Sequence, residues 1–124
     1  MKKVIFLLFL FTLPAGAQEL IFHSPLTQTS PEQYPSKIEE IDRTIYFNSS
    51  SIIIATVTTE GKDFETYDIQ EISSLEQGLV FYCLSVKKEK ITILLPHQEK
   101  IEIIDLYRRS QETKEEVHVR FHVD

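Results

Sequence analysis

From Lys37 onward the apolar positions recur with period two, the spacing of strands, rather than with the 3.6-residue spacing of helices. The densest stretch is Gly78–Pro96. Two runs rich in β-branched and aromatic residues flank a charged tip, Lys87-Lys88-Glu89-Lys90. This predicts a central antiparallel hairpin with most of its side chains buried. The cleanest alternation is Glu116–Asp124, where Val117, Val119, Phe121 and Val123 share one face and Glu116, His118, Arg120, His122 and Asp124 the other. Ile52–Thr59 is a third strand. Ile53, Ala55 and Val57 form one apolar face, while the face begun by Ile52 and Ile54 turns polar at Thr56 and Thr58. Burial on both faces at one end only suits a strand in a curled sheet or small barrel.

Two stretches depart from simple alternation. In Lys62–Ile72, Phe64 and Ile72 are even while Tyr67 and Ile69 are odd, which implies either a β-bulge, shifting side-chain phase by one residue, or two shorter strands. Ile38, Ile41 and Ile45 would share a helical face, but Thr44-Ile45-Tyr46-Phe47 is β-prone throughout, so Ile41–Phe47 is read as extended. Turn chemistry at Asn48–Ser51, Glu60-Gly61, Ser73–Gly78 and Pro96–Glu99 separates the strands. Arg108–Glu115 holds no apolar residue and reads as a loop or hairpin tip. The expected fold is all-β: an antiparallel up-and-down meander of about seven or eight strands, curled into a barrel, half-barrel or roll, with a two-sheet sandwich as the alternative.

The segments before Lys37 differ in character. Met1-Lys2-Lys3, the apolar run Val4–Leu13 and Ala15-Gly16-Ala17 have the layout of a secretory signal peptide, cleaved after residue 17. The apolar run is far shorter than the ~20 residues of a membrane-spanning helix, and no cysteine follows it to carry a lipid. The expected location is therefore periplasmic or extracellular, without a membrane anchor. Residues 18–36, with Pro25, Pro31 and Pro35, read as an extended surface segment with a short peripheral strand at its start. Residues 37–124 read as one β-rich domain.

Charge narrows the partners. Thirteen basic against 19 acidic residues give a net charge of −6, and loss of Lys2 and Lys3 with the leader deepens it by two. Such a surface argues against nucleic acid and against anionic membrane faces, both of which attract basic proteins. Cys83 is the single cysteine, so no intrachain disulfide forms, and its apolar strand marks it as a small buried hydrophobe.

Chemistry is sparsely signalled. No catalytic motif, cofactor-binding loop or metal-ligating spacing is found, and the protein is read as a non-enzyme. His118 and His122 would share a metal on a helix, but on a strand they stand roughly 13 Å apart. As a row, His118, Arg120 and His122 could offer donors to an anionic partner, or their donors could pair with carboxylates on neighbouring strands. Arg108-Arg109 could clasp a carboxylate or phosphate, with Glu112, Glu115 and Glu116 as competing internal partners. On architecture alone such a meander is similar to the calycin-type ligand-binding barrels, but their strand-one Gly-x-Trp signature is absent, because the chain has no tryptophan. Two functions are expected in order: a binding module for an unidentified protein partner, or a small barrel carrying an apolar ligand lined by Phe64, Tyr67, Phe81 and Tyr82.

Overall fold

The computed structural model describes residues 19–31, 35–109 and 114–124. The expected signal peptide lies outside the described residues, as do Glu112 and half of the expected 108–115 tip, residues 110–113. The strands are β1 (Leu20–Ser24), β2 (Leu26–Pro31), β3 (Lys37–Glu39), β4 (Arg43–Phe47), β5 (Ser51–Thr58), β6 (Gly61–Ser74), β7 (Gly78–Leu84), β8 (Lys90–Pro96), β9 (Ile103–Arg109) and β10 (Glu116–His122). They form one antiparallel sheet of ten strands in the order β1-β4-β5-β6-β7-β8-β9-β10-β2-β3, curled into a half-barrel. No helix occurs among the described residues.

The meander from β4 to β10 is built from neighbours in sequence, as short loops dictate. Gly78–Pro96 is its central hairpin, β7 against β8, and Leu79, Val80, Phe81, Cys83, Ile91, Ile93 and Leu95 are all buried. Lys88 takes a left-handed conformation at its tip, with φ of 67°. At the other end of the hairpin the main chains approach closely, and a Cβ on Gly78 would stand 2.3 Å from the Leu95 carbonyl oxygen. The parity change in Lys62–Ile72 is a β-bulge within a single strand. The β6–β7 register shifts between Ile69 and Glu71, so Ile69 and Ile72 both face the core.

The largest departure from expectation lies upstream. The expected short strand at the start of residues 18–36 is present as β1, but the chain stays paired beyond it, so that residues 20–31 are two halves of one bent strand. β1 pairs with β4 and β2 pairs with β10, so the bent strand touches both margins of the meander. The prolines that argued against this sit where a missing N–H is harmless: Pro25 at the bend and Pro31 as the last residue of β2. Inward residues change from even (Phe22, Ser24) to odd (Thr27, Thr29) across Pro25, by their pairing with Ile45, Arg43, Phe121 and Val119. Ser24 is fully buried at the bend and donates Oγ to the Leu26 carbonyl at 3.0 Å. Strand β3 then flanks β2. These additions account for ten strands where fewer were expected.

The seam also carries an ionic latch. The His23 ring reaches Asp124 at 3.1 Å through Nδ1 and Asp42 at 3.3 Å through Nε2, and the Asp124 amide donates to the His23 carbonyl at 3.2 Å. The concave face is packed with Ile45, Ile52, Ile93 and Ile104, each no more than 1% exposed, together with Phe47 and Phe81, whose rings meet at 5.2 Å.

Three outcomes follow from this packing. Ile93→Ala should cost about 2–5 kcal/mol in urea unfolding, the range for deleting a large buried aliphatic side chain. Gly78→Ala should destabilise by about 1–3 kcal/mol, because main-chain atoms cannot yield to the new Cβ. The hydrogen bond to Asp124, ahead of the contribution of Asp42 and against some desolvation, raises the His23 pKa above its usual 6.5. The latch therefore stabilises fully below pH 6.5 and fades as pH rises through the raised value. The Tm gap between wild type and His23→Gln should be wider at pH 5.5 than at pH 8.5; a gap independent of pH would contradict the latch.

Candidate functional site

The inward face is not apolar throughout. β5 turns polar inward at Thr56, which stands opposite Arg43 of β4 on one side and Asp63 of β6 on the other. In the same direction β2 contributes Thr27 and Thr29, β3 contributes Glu39, β6 contributes Glu65 and Tyr67, and β9 contributes Arg108. Together they line a partly open recess of about 130 Å³ whose floor is Ile54, Leu106, Val119 and Phe121. Period-two alternation sets each of these residues, so the polar wall is a property of register rather than of loops.

Hydrogen bonds fix much of the wall. Arg43 donates Nη1 to the Thr27 hydroxyl and Nε to the Thr56 hydroxyl, the latter at 3.2 Å. Thr27 is only 2% exposed. Tyr67 donates its hydroxyl to Glu65 Oε2 at 2.7 Å. Burial first, and then the Glu65 carboxylate, push the Tyr67 phenol pKa upward, while Arg108 acts in the opposite direction. Glu39 lies 4.0 Å from the Lys37 ammonium. Among the described residues no buried side-chain nitrogen or oxygen lacks a hydrogen-bond partner.

The residues singled out from sequence are divided between the two faces. Of the four expected to line a ligand cavity, Tyr67 and Phe81 face the interior. Phe64, 63% exposed, and Tyr82, 41% exposed, are on the outer face, because each is one register step out of phase with the core. Tyr67 reaches the recess, whereas Phe81 packs against Phe47. Arg108 and Arg109 do not act as a pair. Successive residues of β9 point to opposite faces, so Arg108 enters the recess while Arg109 donates to the Lys114 carbonyl at 2.9 Å.

His118, Arg120 and His122 lie on the outer face, as alternation requires. Asp105 of β9, 8% exposed, accepts from His118 Nε2 at 2.7 Å and from Arg120 Nε at 2.9 Å. The Asp105 hydrogen bond is the main reason the Arg120 pKa is raised. Tyr107 stacks on the His118 ring at 4.6 Å, with the ring planes 9° apart. His122 approaches Gln28 at 3.4 Å. Asp105 was not conspicuous in the sequence, since it interrupts an apolar run; its pairing opposite Arg120 gives it its role. No group of three or more potential metal ligands occurs among the described residues. Cys83 is 3% exposed, and burial pushes its thiol up to about 12.

Compared with protein-family models, curated proteins and solved structures, the chain matches none.

Asp105→Ala would leave two donors without their shared acceptor and should cost about 1–3 kcal/mol in urea unfolding. Arg108→Gln, at an exposed side chain without a hydrogen-bond or ion-pair partner among the described residues, should change stability by no more than about 0.5 kcal/mol. Equal losses in the two variants would contradict this division between a structural outer cluster and an unengaged inner arginine.

Proposed function

We propose that the protein is a non-enzymatic binding module of an exported compartment, periplasmic or extracellular, and that it engages its partner through the polar recess. The observation that carries this reading is the inward placement of Arg43, Glu65, Arg108, Thr27 and Thr29 above a packed apolar floor. Apolar side chains there would extend the core, so the fold forgoes stability at this end. The two groups nearest to chemistry support a binding role over a catalytic one. Both the Tyr67 phenol and the Cys83 thiol have pKa values raised by burial, opposite to what a base or nucleophile requires. A carrier of apolar ligands has less support, because the recess walls are polar and its volume is below the ~300 Å³ at which ligand pockets usually begin.

The test is affinity capture from the exported fraction of the source cells, with wild type and Arg108→Glu as parallel baits. A partner retained by wild type and depleted at least tenfold on Arg108→Glu is the expected result. Identical capture by both baits, or none by either, would overturn the reading.

A further inference from the structure

We infer that the recess is a carboxylate site, with Arg43 and Arg108 as its clasp. The inference deepens the binding-module reading and rests on it. Four ionisable side chains of opposite sign line the recess, and in principle they could neutralise one another. They do not. Glu65 is held by the Tyr67 hydroxyl at 2.7 Å, and Glu39 lies toward Lys37 at 4.0 Å. The two acids thus have partners of their own, and neither arginine is ion-paired with a described residue. Arg43 is half-buried and meets only the hydroxyls of Thr27 and Thr56. These bonds use Nε and Nη1, fix the guanidinium plane, and leave Nη2 without a protein acceptor among the described residues. Arg108 has no hydrogen-bond or ion-pair partner there at all. In a chain with 19 acidic and 13 basic residues, two guanidinium groups that line one recess without an ion pair to a described residue are a specific arrangement. Arg120 on the outer face shows the alternative, with Asp105 at 2.9 Å.

The geometry selects among anions. Arg43 keeps Nη2 for an anion, its Nε and Nη1 being bonded to Thr56 and Thr27, and the guanidinium fork of Arg108 can match the two oxygens of a carboxylate. Glu39 and Glu65 stand on the same wall, so a dianion such as phosphate would be repelled by both, whereas a monoanion costs less. About 130 Å³ admits a carboxylate with a few further atoms. The carboxylate can come from a small organic acid or from the chain end of a peptide; the chemistry at the arginines is the same.

The experiment follows the Nε–H resonances of Arg43 and Arg108 by NMR in the folded protein. The probes are acetate, a short peptide with a free terminal carboxylate, and the same peptide amidated, all at matched ionic strength. Saturable shifts at both arginines with acetate or the acid peptide, and none with the amide, are expected. Acetate and peptide acid binding equally would indicate a small-acid source, and much tighter peptide binding a chain-end source. Arg108→Gln, its fold checked by an unchanged Tm, should weaken the response about tenfold or more, the scale of one lost charge-assisted bond. Absent shifts, or the same drift with amide and acid peptides, would overturn the carboxylate assignment. Arg108-dependent capture of a partner without any carboxylate response would remove this assignment alone. Loss of both responses would remove the binding-module reading as well.

Discussion

The structure depends on one bent strand. Residues 20–31 spend their first half on β4 and their second on β10, and Ser24–Pro25 is the corner. A meander from β4 to β10 on its own would leave two long margins with unpaired main-chain groups, an arrangement that invites association. The bent strand covers both. It also fixes the curl, since the same few residues must reach the two margins at once. Ser24 and Thr27, the most deeply buried polar residues, mark the corner, and each has its hydrogen bond.

The recess is a consequence of that corner. Where the bent strand passes from one margin to the other, its inward side chains are Ser24, Thr27 and Thr29 rather than large aliphatics, and Arg43 fills the space by bonding to Thr27. Further round the sheet, Ile45, Ile52, Ile93 and Ile104 close the interior with apolar packing. One concave face therefore has two ends of different chemistry. Apolar packing is concentrated at the first, and polar and charged groups gather at the second. The outer Asp105 cluster is different in kind, because its donors and acceptor satisfy one another across β9 and β10.

How much of this was legible in the chain can be argued residue by residue. The β7–β8 hairpin, the change of parity before Ile72 and the alternation of β10 were all readable, because each is a local matter of side-chain phase and turn chemistry, though parity alone left a bulge and two shorter strands equally open. The polar turn of β5 at Thr56 was visible too, though which face it belonged to was not. That face was set by Ile52 and Ile54 going inward, a fact of pairing rather than of pattern. Phe64 and Tyr82 were misplaced for the same reason: a large aromatic in a strand does not say which side of the sheet it is on. The role of residues 24–31 was hidden because three prolines nearby suggest loose chain, and only long-range pairing reveals that Pro25 and Pro31 occupy harmless positions. Arg43 and Arg108 are far apart in sequence, and nothing short of the folded register brings them to one recess.

The central claim is that the bent N-terminal strand is an integral member of the sheet, on which the curl and the recess both rest. Amide hydrogen exchange tests it most directly. The account predicts that amides of Leu26–Ser30 are protected to an extent comparable with those of the β7–β8 hairpin, exchanging only as the whole domain opens. Rapid exchange across Leu26–Ser30 while the hairpin stays protected would contradict it.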